Sequence, residues 1–293
     1  MFTYSNLNEA FWNELNNISV VGKNVESRGS KQKEVLFRSF TIQDPTDLDI
    51  VWPSRKFNAT YTLAEFLWYL SRNPNSVNIG KFARIWLNIK DDEDNVESNY
   101  GCYVFGSQWD WAVKELLADK DSRRATFVIG QPYHKTKNPN DIPCTQYLQF
   151  FIRDNKLHMG TCMRSNDIVF GMSNDIFIFC LFQQLMFNEL KQHYPDLQIG
   201  TYHHHAGSLH LYEMHYDMAA QILEGDSYSE NYSHCSGIFT LKPNITLEYI
   251  QKNELYLPSK DMTKEEIGEY AKTVSKSLFI WKRKNQYLKG QTE

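Results

Sequence analysis

Cys144 stands between Pro143 and the polar pair Thr145-Gln146, at the head of the run TQYLQFFIRD, so its thiol can face a cleft at the end of a strand. A lone cysteine is usually a small buried hydrophobe; it becomes a nucleophile where neighbouring positive charge favours the thiolate. Arg28, Arg123, Arg124 and Arg164 are candidates for that charge. They lie beside small polar residues at element ends, an arrangement suited to a forked clamp on phosphate oxygens. Glu65 is embedded in the apolar run LAEFLWYLSR, where burial would raise its pKa towards the range useful for proton transfer near neutrality. A different chemistry is open at His203, His204 and His205, with His210 and His215 downstream, because imidazoles at short spacing can converge on zinc. Alternate strand residues share a face, so His203 and His205 could meet. A polar strand lining a cleft accounts for the same residues, and no metal is expected. Cys102, Cys162, Cys180 and Cys235 are expected to be structural thiols.

These groups need a scaffold to bring them together. At 293 residues and 42% hydrophobic content the chain can bury a real core, and one large domain over 1–293 is expected. A net charge of -4 argues against a dedicated nucleic-acid or anionic-membrane surface. The five cysteines form no C-x-x-C pair, which suits a reducing, cytoplasmic setting. The N-terminal residues lack a basic segment followed by an apolar core, and no run of about 18 apolar residues is read anywhere. Neither export nor membrane insertion is expected. Periodicity predicts helices over 7–15, from Thr62 to a stop at Asn73-Pro74, over 109–118 and over 171–190, with a further one in KEEIGEYAKTVSKS. Val25 to Ile50 reads as a hairpin, and ATFVIGQ, TQYLQFFIRD, LHMGTCMRS and 199–212 as strands, with Asp154-Asn155 as a turn. The acidic stretch 90–99 reads as a solvated loop, and the sequence beyond about 230 as an irregular C-terminal extension.

The joint pattern goes further than any single residue. SRG at 27–29, AEFLWYL at 64–70, NYG at 99–101, DSRR at 121–124, PCTQYLQF at 143–150, RSND at 164–167, GMSND at 171–175 and GSLHLY at 207–212 occur in the order and at the spacing of the thymidylate synthase family, which the chain resembles over about 25–225. The resemblance implies an α/β (α+β) three-layer fold whose large mixed sheet forms a homodimer interface. It implies Cys144 as the nucleophile, Arg28, Arg164 and Ser165 as phosphate ligands, and Arg123 with Arg124 lent to the other subunit of an obligate homodimer. It implies Glu65 as the residue that orders water and relays protons, Trp86 and Tyr100 as active-site aromatics, Asp167 and Gly171 at the folate pterin, and His210 with Tyr212 on the sugar 3'-hydroxyl. The implied substrates are a pyrimidine nucleoside monophosphate and, as cosubstrate, 5,10-methylenetetrahydrofolate.

Three departures bear on the reaction. Where thymidylate synthases carry an asparagine that reads uracil, the counted alignment puts Asp175; a slip of one residue would put Asn174 there. Cytosine presents an amino donor and a ring-nitrogen acceptor, the inverse of uracil, and a carboxyl group can accept from the first and, protonated, donate to the second. Thr145 replaces the histidine that commonly follows the nucleophile, and the tail QYLKGQTE lacks the apolar ending that closes over folate. Together these point to hydroxymethylation of a cytidylate, in which water rather than hydride reaches the exocyclic carbon. Ser165 and Arg123 favour the deoxynucleotide, dCMP, over CMP. A thymidylate synthase, a dUMP hydroxymethylase and a dCMP methyltransferase are the other catalytic readings. A relative that binds nucleotide or its own messenger RNA without turnover is a further alternative, against which the presence of Cys144, Glu65 and Asp167 speaks.

Overall fold

The computed structural model describes residues 2–225 and 237–283. Among them, the strands are β1 (Phe2–Tyr4), β2 (Lys23–Ser27), β3 (Ser30–Ile42), β4 (Thr126–Val128), β5 (Thr145–Arg153), β6 (Lys156–Met163), β7 (Asn166–Asp167), β8 (Gln198–Tyr212), β9 (Gly237–Leu241) and β10 (Phe279–Arg283). The first eight form one mixed sheet in the order β1-β3-β8-β6-β5-β4, with β2 on β3 and β7 on β8. Two of its hairpins turn on residue pairs in the left-handed region, Arg28-Gly29 (φ 49° and 76°) and Asp154-Asn155 (φ 49° and 56°). Such pairs match the twist of the flanking strands. The predicted hairpin therefore forms, although its second strand stops at Ile42, and the 154–155 turn lies where expected.

Strands β6 and β8 are parallel. Parallel neighbours need a crossover, here the helix Ser173–Lys191. The helix is apolar nearly all round because it is enclosed on all sides, with Phe177, Phe179, Cys180, Phe182 and Leu185 all fully buried. The segment Ile168–Lys191, which contains the run 171–190 read as a long apolar helix, is long and apolar enough to cross a membrane by length and composition, against the expectation that no such run occurs, yet 78% of its most apolar 18-residue window is buried inside the fold. The helix begins two residues later than periodicity suggests. Asp167 accepts from the amides of Val169, Phe170 and Gly171 and winds Ile168–Met172 into a π-helical turn first.

The helix Ala59–Ser71 starts three residues before Thr62 because the Asn58 side chain caps the amide of Tyr61 (3.1 Å), a contact worth about 1 kcal/mol. It ends where Arg72 turns left-handed (φ 56°) ahead of Asn73-Pro74. The helices Leu7–Val21 and Ser107–Ala118 form where expected, the first reaching six residues further than 7–15. The acidic stretch 90–99 is a loop, but only its first part is solvated: Val96, Glu97, Ser98 and Asn99 are buried, and a bridge joins Asn95 to Asn75.

Over the described residues 237–283 the chain is more regular than its composition suggests. Helix Lys264–Leu278, opened by a Thr263/Glu266 capping box, packs on Ala59–Ser71, and the β9–β10 ribbon sets Phe239 against Phe177 (centroids 4.9 Å apart). The extension thus closes one side of the core. The tail QYLKGQTE and Cys235 lie outside the described residues.

Candidate active site

One edge of the sheet collects the chemistry. Cys144 immediately precedes β5, whose Thr145 pairs with Met163 at the end of β6; Met163 pairs in turn with Ala206 of β8, and Asp167 of β7 pairs with His210. Tyr212 ends β8 opposite Gln32 of β3, close to the Arg28 hairpin tip. Strand register therefore brings residues from five chain segments to one place.

Arg164 follows β6 and is built into the loop that carries the thiol. Its Nε and Nη2 donate to the carbonyls of Pro143 (3.2 Å) and Ile142 (2.6 Å), and its amide donates to the carbonyl of Cys144 (2.8 Å). Burial pushes the Cys144 thiol above its ordinary value; Arg164 and Arg28 oppose this, while Asp175 and Asp141 reinforce it. Arg164 and Arg28 thus favour the thiolate as expected, but within a single chain desolvation outweighs them. Arg123 and Arg124 are exposed, and Arg124 pairs with Glu115 (2.9 Å) rather than reaching the thiol of its own chain. Ser165 is half-buried in the bend between β6 and β7.

Asp175 and Asn174 part company on the first turn of the central helix. Asn174 accepts from the hydroxyl of Thr62 (3.2 Å), whereas Asp175 accepts from Asn166 Nδ2 (2.8 Å). Burial, with Glu65 and Asp167 nearby, holds the Asp175 carboxyl well above the usual range, which favours its protonated form. Glu65 is raised to about 7 by burial, which the hydroxyls of Tyr61 and Tyr69 partly offset. Tyr69 donates to Glu65 Oε1 (2.9 Å), and Oε2 has no protein partner. Tyr100 stacks on Tyr69 (5.3 Å), and the Trp86 indole donates to Tyr61 (3.1 Å).

Both oxygens of Asp167 accept from capping amides, with Gly171 N one of its donors at 3.2 Å. A Cβ at Gly171 would meet Asn166 Nδ2 at 3.2 Å, so this position admits the close approach of the turn to the Asn166 and Asp175 side chains. His210 is buried, held below its ordinary pKa mainly by desolvation, and edge-on to Tyr212 (4.8 Å). The Tyr212 hydroxyl is raised by burial and feels Asp167, Cys144, Arg28 and Arg164.

Three residues of this cleft were not singled out from the sequence. Arg55 is 2% exposed, donates to Ser173 Oγ (2.9 Å), lies 4.6 Å over the Phe170 ring and keeps an unpartnered Nε; burial lowers it to about 10, with Asp167 opposing. Asp141 is buried and accepts from Ser98. Asn166 belongs to the RSND motif but carried no assigned role. The histidine strand splits by face as alternation requires. His203 and His205 bond to Thr41, Thr201 and Ser39, and His204 points to the core. Among the described residues no group of three or more metal-ligating side chains is arranged to hold an ion.

The raised Glu65 has a consequence for stability. A carboxyl that binds its proton more tightly in the folded state stabilises below its unfolded pKa, and that contribution is lost as pH rises from about 4.5 to about 7. We expect the unfolding free energy of the wild type to fall across that window by about 3 kcal/mol more than that of Glu65→Gln. Denaturant midpoints measured against pH check this, and parallel curves would contradict it.

A thymidylate synthase family profile matches residues 9–238. Deoxycytidylate 5-hydroxymethyltransferase of Enterobacteria phage T6 is 29% identical over 204 residues, covering 66% of this chain and 80% of its own. Deoxyuridylate hydroxymethyltransferase of Delftia phage PhiW-14 is 28% identical over 204 residues, covering 64% and 55%. In fold, thermostable thymidylate synthase A from Bacillus subtilis superposes with a TM-score of 0.66 over 81% of this chain and 89% of its own, at 17% identity. The match spans every segment that builds the cleft, and the chain belongs to the thymidylate synthase family.

Proposed function

We propose that the protein is a deoxycytidylate 5-hydroxymethyltransferase. The observation that carries this reading is Asp175: a half-buried carboxyl, raised above the usual carboxylate range by desolvation, that accepts from Asn166 Nδ2 (2.8 Å) and lies within electrostatic reach of Cys144 and Glu65. A neutral acid offers one acceptor and one donor, the complement of the cytosine amino group and ring nitrogen. Arg28, Arg164 and Ser165 would grip the 5'-phosphate, and His210 with Tyr212 the sugar 3'-hydroxyl. Trp86, Asp167 and Gly171 would hold the cosubstrate. The partnerless buried atoms Arg55 Nε and Glu65 Oε2 suit a cleft that takes polar heterocycles.

5,10-Methylenetetrahydrofolate, when bound, supplies a one-carbon unit at the oxidation level of formaldehyde. The Cys144 thiolate adds to C6 of the pyrimidine, which makes C5 nucleophilic towards that carbon. Glu65, poised near neutrality, moves the proton that C5 must lose and positions the water that adds to the exocyclic methylene; expulsion of Cys144 restores the ring. The balance is dCMP, methylenetetrahydrofolate and water giving 5-hydroxymethyl-dCMP and tetrahydrofolate. CMP is the alternative nucleotide. The PhiW-14 relative's name favours a second reading, dUMP hydroxymethylation, since a neutral acid with its proton on the other oxygen would complement uracil. Tritium release from C5 across dCMP, CMP, dUMP and UMP tests the assignment; preference for a uridylate would overturn it.

A homodimer completes this reading. Val128, Tyr147, Cys162, His205 and Ser39 are aligned across β4, β5, β6, β8 and β3 on the sheet face away from the central helix, and Val128 and Tyr147 are exposed. Arg123 and Arg124 would reach the partner's phosphate site. Mixing Cys144→Ala with a variant carrying Arg123→Ala and Arg124→Ala, each inactive alone, is expected to restore turnover through exchanged dimers. A mixture as inactive as its components would remove the shared site.

A further inference from the structure

Behind Asp175 runs a line of buried polar side chains that the reaction above does not use. Asn166 Nδ2 lies 2.8 Å from Asp175 Oδ2; Asn166 Oδ1 lies 3.0 Å from His204 Nε2; and His204 Nδ1 lies 3.0 Å from the Tyr202 hydroxyl. All three are nearly or fully enclosed, and Phe40 covers the imidazole at 5.1 Å. Buried polar groups must be satisfied, so donors and acceptors along the line are mutually constrained.

We propose that Tyr202, His204 and Asn166 form a one-way chain of hydrogen-bond donors that fixes which oxygen of Asp175 accepts and which carries its proton, making them positioning residues for base selection. The Asn166 amide donates to Asp175 Oδ2 and so turns its own carbonyl to His204. That carbonyl requires a proton on Nε2. Burial lowers His204 to about 3, so its ring is neutral and has a single N–H. Nδ1 must then accept, and Tyr202 O–H donates to it. Oδ2 of Asp175 is thereby held as an acceptor, and the proton of the neutral acid sits on Oδ1. Resting on the cytosine reading, the assignment sets Oδ2 to accept from the 4-amino group and Oδ1–H to donate to N3. Uracil needs the reverse, which requires the whole chain to invert. The specificity of Asp175 is thus set three side chains away from the base.

Tyr202→Phe removes one hydroxyl and leaves the packing volume nearly unchanged. Without that donor, His204 can carry its proton on Nδ1, the Asn166 amide can turn over, and Oδ2 can take the proton. The ratio of kcat/KM for dCMP to that for dUMP is expected to fall by about ten- to hundredfold. His204→Phe should act in the same sense, and His204→Gln, which keeps an amide donor towards Asn166, should restore part of the ratio. A purely structural role would lower both substrates together, and an unchanged ratio in Tyr202→Phe would overturn the proposal. The tautomer is also readable in the wild-type protein, without turnover, by nitrogen-15 NMR of labelled histidine. The chain requires His204 protonated at Nε2 alone near neutral pH; a proton on Nδ1 would refute it. If the wild type prefers dUMP, the cytosine reading fails; if it prefers dCMP while the tautomer or the ratio disagrees, this inference alone fails.

Discussion

Cys144→Ser will lower turnover of the preferred nucleotide by roughly 10⁴–10⁶-fold, the scale on which enzymes lose rate when a covalent nucleophile is removed. The loss follows from what the reaction demands. C5 of a pyrimidine does not attack carbon unless C6 is first saturated by a nucleophile, and a serine hydroxyl in the same place is far less ionised than a thiol. Nucleotide affinity should change little, because the phosphate grip lies in Arg28, Arg164 and Ser165. The expected signature is a collapse of kcat with a nearly unchanged nucleotide dissociation constant by calorimetry. Because burial raises the thiol within the single chain, the wild type should gain activity as pH rises above neutrality, until the thiolate forms fully. Tritium release by Cys144→Ser close to the wild-type rate would remove the covalent mechanism.

Asp175→Asn will shift the ratio of kcat/KM for dCMP to that for dUMP by about 10³-fold or more towards dUMP. Sites built to pair with a polar group discriminate by 10⁴–10⁵ against partners that leave it unpaired, and an amide at this position can serve uracil with its own acceptor and donor. Substrate competition with both nucleotides in one vessel measures the ratio directly. A variant that keeps its preference for dCMP would disconnect Asp175 from base reading.

Periodicity sees what is local. The helix Ala59–Ser71 was legible from an apolar run ended before Asn73-Pro74, and the two tight turns from their residue types, because those signals act within a few residues. The β9–β10 ribbon was not, since its pairing joins segments nearly forty residues apart and no local pattern specifies it. The same division holds in the cleft. Glu65 and its raised pKa could be read from an apolar helix. Arg55, Asp141 and Asn166 are ordinary polar types at ordinary spacings, and only the fold puts them beside Asp167, Cys144 and Asp175. The thiol shows the limit most clearly: its arginines were visible in the sequence, while the burial and the two carboxyls that outweigh them were not.

The most direct measurement incubates the protein with dCMP and 5,10-methylenetetrahydrofolate and determines the mass of the nucleotide product together with the oxidation state of the released folate. The expected product is a nucleotide heavier by one CH2O unit, with tetrahydrofolate released unoxidised. A nucleotide heavier by one CH2 unit, accompanied by dihydrofolate, would contradict it.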